Sequence, residues 1–453
     1  MKTAWEKYLK NTKPVMDFCE GYKTYITNAK TEREATLEAI KLAKKAGFKD
    51  LYSVKKIKPG DRLYANNRDK NVAFFVIGKK DIEEGINILG AHIDAPRLDL
   101  KQHPLYEDNG LVLLDTHYYG GVKNYQWVAH PMALHGVVCK KDGTTVNIKI
   151  GDNENDPVIE ISDLLIHLAH DQMQKKATNV IEGEDLNALF GSIPKAKTKE
   201  NPVKANILDI LKKEYNIEEE DFISAELEIV PAGKARDLGL DRSMIMAYGH
   251  DDRICAYASL MATLEMKNPS ITSACIFIDK EEIGSVGSTS AHSTFFENCI
   301  AELINKQTSY NDLKLRHAFE NSHMISSDVS AAFDPNYPSV NEPKNTAYFG
   351  KGISINKYVG ARGKSGTNDA NPEYIAKLRK VLEDNDVSFQ TAELGKVNQG
   401  GGGTVAYTFA NKNMEVIDAG VAIQNMHACY ETASKVDIYE SYLAYKAFLK
   451  DFK

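Results

Sequence analysis

The chain has 453 residues, 43% of them hydrophobic and 26% charged, which is the make-up of a globular protein with material for more than one core. The net charge is -7 and the basic residues are scattered, with only short runs such as 195–199, so composition excludes a nucleic-acid partner. No apolar run approaches the ~20 residues a membrane helix needs, which excludes a spanning segment and a membrane partner.

The chain opens polar, Met1-Lys2-Thr3-Ala4-Trp5-Glu6, without an apolar signal-peptide core. Six cysteines occur, none in a C-x-x-C pair and most inside apolar runs. They read as reduced core residues, and the expected location is cytoplasmic.

In chain order, the first fifty residues have a helical texture, with apolar positions at helical spacing over 32–46 and Gly47 as a stop. Two short β-branched runs, 72–77 and 86–89, predict buried strands. From about 101 to 234 the texture changes. Strand-like runs at 111–114, 136–139 and 146–150 precede a polar, charge-rich stretch from 172 to 220 that reads as exposed loops. An α/β rhythm then returns: a helix over 254–266, buried strands over 273–278 and 323–326, and an amphipathic helix over 372–384. A strand over 415–417 and a closing helix over 436–452 complete it. The simplest organisation is one discontinuous α/β domain, 1–100 with 235–453, interrupted by a second domain over 101–234.

Familiar catalytic signatures are absent: no H-E-x-x-H, G-x-S-x-G or P-loop occurs. What stands out is acids and histidines placed just after apolar strand-like runs, where open α/β sheets bind ligands. Gly90-Ala91-His92-Ile93-Asp94 follows the run at 86–89. Residues i and i+2 share a face of an extended chain, so Asp94 can fix the tautomer of His92. Gly249-His250-Asp251-Asp252-Arg253 precedes a helix; taken alone, N-capping by Asp251 or Asp252 explains it better than a cation does. Asp279-Lys280-Glu281-Glu282-Ile283-Gly284 ends a buried strand in a Glu-Glu pair, which suits one carboxylate for a metal and one for a proton. Ser327-Asp328 and His427-Ala428-Cys429-Tyr430-Glu431 are weak alone. Together the two histidines and the carboxylates suit a dinuclear zinc-type site.

This set resembles the aspartyl aminopeptidase family of dinuclear zinc peptidases, through Gly90–Arg97, Asp251-Asp252, Asp279–Ser285, Ser327-Asp328 and Met426-His427 with Glu431. The resemblance implies a phosphorylase/hydrolase-like α/β metallopeptidase domain carrying an inserted β-rich dimerisation domain. It implies Asp251 bridging two divalent metals, zinc first with cobalt or manganese as substitutes. His92 and Asp328 would complete one metal, and Glu282 and His427 the other. Glu281 would be the general base, Asp94 would orient His92, and the Asp251–Asp252 peptide would be cis. Peptides are the implied substrates, and the implied assembly is a tetrahedral dodecamer of dimers. His167, from the insertion, would hold substrate or oxyanion in a neighbour's site, and Gly401, within Gly400–Gly403, would line the substrate site. The pattern departs from the family where a lysine is expected to read an acidic side chain: Asn356 stands there, with Lys357 beside it. An acidic preference is therefore not implied. The alternatives are a related dinuclear aminopeptidase of other or broader specificity, such as a tetrahedral deblocking enzyme, and a catalytically silent oligomeric shell.

Overall fold

The computed structural model describes residues 2–453, which divide into two compact units. The larger comprises the residues up to Asp94, Ala235–Met426 and Glu431–Lys453. At its centre is a nine-stranded sheet. The four strands that matter for the site are Thr272–Ile278, Ile86–His92, His323–Ser326 and Glu415–Gly420, which lie side by side in that order and run parallel. Ile353–Asn356 flanks the last of them antiparallel.

These strands are short apolar runs because both faces of the sheet are covered. Alternate residues face opposite ways. Leu89, Ala91, Ile325, Ile417 and Ala419 join one core with the helices His250–Glu265 and Lys435–Asp451. Ile86, Ile88, Met324 and Val416 join a second core with the helix Phe295–Gln307. The early helix Glu32–Lys45 starts at a capping box, in which Thr31 and Glu34 satisfy each other's exposed N–H groups. A five-stranded sheet in the same unit includes Met244–Ala247 paired with Glu431–Ser434, and the chain passes from Met244–Ala247 to the His250–Asp252 turn.

The second unit is Ala95–Lys234 with His427–Tyr430. Its seven strands form one antiparallel sheet, with Trp127, Met132, Leu98 and Ile229 buried against it. The charge-rich stretch expected to be loop contains a 14-residue helix, Pro202–Tyr215. Pro202 opens it, Asn216 in the left-handed region closes it, and Val203 and Leu211 bury its inner stripe. The surrounding charges hid that stripe. Among the described residues no helix is long and apolar enough to cross a membrane.

One close approach is functional in its placement. A Cβ on Gly420 would lie 2.0 Å from the carbonyl oxygen of Asp328. Gly420→Ala is expected to destabilise the fold by about 1–3 kcal/mol, because backbone must move to admit the methyl group. Urea unfolding of the metal-free protein measures it, and an unchanged midpoint would contradict the expectation.

Candidate metal centre

Four chain segments reach the carboxyl edge of the central sheet, and each brings its polar groups there because its apolar run has just ended. His92 is the last residue of its strand and is buried. Its Nε2 lies 3.0 Å from Asp251 Oδ1. Its Nδ1 lies 3.0 Å from the main-chain carbonyl of Asp94 and 3.4 Å from Asp94 Oδ1. The sequence suggested that the Asp94 carboxylate orients this ring. The structure puts the carbonyl nearer, because the strand ends at His92 and the chain turns.

Asp251 and Asp252 are joined by a cis peptide and have non-helical backbone angles at the head of their helix. The Asp251 amide donates to Glu431 Oε2 at 3.0 Å. The preceding His250 is locked in one tautomer. Its Nε2–H donates to the Ile245 carbonyl at 3.1 Å, and Nδ1 receives the Tyr22 hydroxyl at 2.6 Å. Burial lowers its pKa to about 4. Asp252 is fully buried, and neither carboxylate oxygen has a hydrogen-bond partner.

Asp328 follows the strand His323–Ser326, whose exit is held by the Ser327 amide on the Gly90 carbonyl at 2.6 Å. Glu281 and Glu282 occupy a single 3-10 turn flanked by left-handed Lys280 and Gly284. Their amides donate to Asp94 Oδ1 and Oδ2 at 3.1 and 3.2 Å. Asp279, the anchor of this turn, is bonded by Thr289 and Lys280, and loss of solvent followed by the charge of Glu32 raises its pKa to about 6.

His92, Asp251 and Asp328 present ligand atoms within 4.8 Å of one another. The fit to a divalent cation is tested by their electrostatics. Loss of solvent, then the carboxylates of Glu281, Asp251 and Asp418, push Asp328 well above the usual carboxylate range, against the pull of His92. Burial and Asp328 do the same to Asp252. Burial alone would lower His92, but Asp251 and Asp94 outweigh it and hold the imidazole well above its ordinary value. Protons are thus recruited to offset crowded negative charge, a task a divalent ion performs better. One nitrogen and carboxylate oxygens are zinc-type donors, so the residues fit.

His427 belongs to the second unit, where its Nδ1 lies 2.7 Å from the Gly121 carbonyl. His167 sits in the exposed turn Ile166–Leu168, among exposed Leu165, Ile166 and Leu168. Lys357 is exposed and ion-pairs with Asp369, while Asn356 points inward, accepting from Ser354 Oγ at 3.2 Å. Gly401 has φ +117°, and a Cβ there would lie 2.4 Å from Ala361 Cα, so only glycine lets these loops touch. The sequence reading gave no role to Tyr22; a tyrosine on an amphipathic helix carries no signal of its distant partner.

Residues 25–449 match the aminopeptidase I zinc metalloprotease family, M18. The chain belongs to that family. It is 58% identical to a probable M18 family aminopeptidase 1 of Clostridium acetobutylicum, over 99% of this chain and 98% of that protein. The crystal structure of an M18 family aminopeptidase from Thermotoga maritima superposes with TM-score 0.96 at 42% identity, covering 99% of both chains. At 20% identity, the S. cerevisiae mApe1 dodecamer shares the fold with TM-score 0.77, over 97% of this chain and 96% of that one. This protein is accordingly a zinc metallo-aminopeptidase of mixed α/β fold that acts on peptides.

The His250 pair gives a pH signature. The unfolded chain protonates this ring near its ordinary 6.5 and the folded chain only near 4. Stability is therefore full above pH 6.5 and is lost as pH falls through that window, by about 3 kcal/mol. In His250→Asn, which keeps an acceptor for Tyr22, that part of the decline is expected to vanish. Denaturant titrations of both metal-free proteins from pH 7 to 4 measure the difference, and parallel declines would refute it.

Proposed function

We propose that this M18 aminopeptidase removes the N-terminal residue of peptides through two divalent ions, with Glu281 as the general base. Asp251 is the proposed shared ligand, with His92 and Asp328 on one ion and Glu282 and His427 on the other. The single observation that carries the reading is the convergence of His92, Asp251 and Asp328, whose ligand atoms lie within 4.8 Å of one another where the parallel strands end. Support for His427 is its tautomer: a ring whose Nδ1–H is given to the Gly121 carbonyl presents an unprotonated Nε2, the form that binds metal. When bound, the ion pair supplies an acidified water and a Lewis acid for the scissile carbonyl.

Glu281 takes the proton of the attacking water and returns it to the leaving amine. It projects from a turn fixed on both sides, which holds the carboxylate near its neighbours without a helix to carry it. Specificity is proposed to be broader than acidic N-termini, because Lys357 spends its charge on Asp369 and buried Asn356 holds the inward position. The insertion is proposed to mediate dimers and His167 to serve a neighbour's site. The exposed apolar turn around it, Leu165, Ile166 and Leu168, is surface that suits a partner subunit. The assembly is proposed to be a dodecamer in a reducing, cytoplasmic setting; all six cysteines are unbridged thiols.

Glu281→Gln is expected to lower kcat by roughly 100- to 10,000-fold while metal analysis still finds about two ions per chain. Near-wild-type turnover would remove Glu281 from its role. A chelator is expected to abolish activity and added zinc, cobalt or manganese to restore it. On a panel of aminoacyl substrates, rates for Asp and Glu are expected not to exceed those for neutral residues. Light scattering is expected to find a species of about 600 kDa, twelve chains of 50.4 kDa each; a monomer at micromolar concentration would reject the assembly.

A further inference from the structure

The strand Thr272–Ile278 runs straight into Asp279, which is fully buried. From there the chain leaves the sheet, makes the turn Glu281–Ile283 and returns at Thr289, which is buried as well. Residues 279 and 289 are joined twice. The Asp279 amide donates to the Thr289 carbonyl at 3.3 Å, and the Thr289 hydroxyl donates to Asp279 Oδ2. A compact loop of this kind depends on how firmly its two ends are held together. Its middle lies in solvent, with Ile283 49% and Val286 72% exposed, so the buried tie at the base limits how far the outer part swings.

Further groups converge on the same base. Lys280, in the left-handed region, turns its side chain back until Nζ lies 3.1 Å from Asp279 Oδ2. Its stem crosses Gly287, where a Cβ would come within 3.0 Å of Lys280 Cδ. The returning arm is also held from the hairpin Arg62–Asn67 with Asn71–Val76. Asn67 Nδ2 donates to the Ser288 carbonyl at 2.9 Å, and Lys70 Nζ lies 3.8 Å from Asp279 Oδ2. Inside the loop, the Gly284 amide bonds the Glu281 carbonyl at 2.9 Å and the Ser285 amide the Lys280 carbonyl at 2.7 Å. Those two bonds shape the turn without fixing its place on the sheet. Asp94 grips the turn at the Glu281 and Glu282 amides. A grip at one place leaves rotation about it, and a second at the base removes that freedom.

We infer that Thr289 is a positioning residue for Glu281: by tying the returning arm to Asp279 it sets the direction in which the turn presents the base. The inference rests on the reading of Glu281 as the base. Glu282, read as a ligand, is fixed by coordination once metal is loaded, whereas a base is not, so a loosened loop shows first in proton transfer. A shift of the order of 1 Å in a reacting group is enough to cost roughly 100-fold in rate. Valine at 289 keeps the shape of threonine without its hydroxyl, and serine keeps the hydroxyl without the methyl group.

Five proteins decide the matter: wild type, Thr289→Val, Thr289→Ser, Glu281→Gln and the double variant Thr289→Val/Glu281→Gln, each loaded with zinc. Kinetics on one aminoacyl substrate are followed by metal analysis after dialysis. Thr289→Val is expected to lower kcat by roughly 10- to 100-fold at unchanged KM and unchanged zinc content. Thr289→Ser is expected to restore most of the loss. In the double variant the loss is expected to be no larger than in Glu281→Gln alone, because misdirecting a base that is already absent costs nothing further. Wild-type kcat in Thr289→Val, losses that multiply, or a serine variant as slow as the valine one would each overturn the inference while leaving Glu281 as the base. Near-wild-type turnover of Glu281→Gln overturns the reading of the base and the inference with it. Should Thr289→Val not fold, because its buried carboxylate has lost a donor, Asp279→Asn/Thr289→Val buries no charge there. It is expected to show the same fall in kcat at unchanged KM, and wild-type turnover in it would overturn the inference.

Discussion

Carboxylates that converge out of water repel one another, and the larger unit is arranged around that repulsion. Asp251, Asp252, Asp328 and Glu281 meet where the parallel strands end, and loss of solvent, reinforced by their mutual charge, drives Asp328 and Asp252 toward the protonated form. A fold tolerates this only if the surrounding backbone cannot relax. The relevant backbone is held at each entry: Ser327 on Gly90, Asp251 on Glu431, Glu281 and Glu282 on Asp94. A divalent charge held there would replace the recruited protons, and metal binding and folding stability would then be linked through the same atoms.

The parallel strands supply the geometry for this. Adjacent parallel strands end together, and their next residues share one small volume. Two apolar cores, one on each face of the sheet, make the ends register. Gly420 shows how little slack is left, since its Cα–H surface lies directly against the Asp328 backbone.

Much of this is legible in the amino-acid sequence, for a physical reason. A buried parallel strand must be apolar throughout and its ligand-bearing end must be polar. The transition from Ile278 to Asp279, or from Leu89 to His92, is therefore visible as an abrupt change of texture. The cis peptide at Asp251–Asp252 follows from the resemblance and is present. Side-chain aim is less legible. The alternation rule paired Asp94 with His92, whose ring lies 3.4 Å from the carboxylate, but could not foresee that the same carboxylate also accepts from two amides. Lys357 against Asp369 is likewise a tertiary pairing that a separation of twelve positions conceals. The helix Pro202–Tyr215 was masked by the charges on its outer face, whereas its inner stripe is only partly apolar.

The Tyr22–His250 hydrogen bond joins the helix Lys13–Asn28 to the residue immediately before Asp251. The front of the polypeptide is thereby a structural part of a site whose own residues begin seventy positions further on. Trimming that helix, by a protease or by a shortened gene, would remove the latch on the residue before Asp251 without touching Asp251 itself. Chain integrity at the amino end is in this sense a form of quality control: a molecule that lacks this helix loses Cys19, Tyr22, Tyr25 and Ile26 from the core together with the latch on His250.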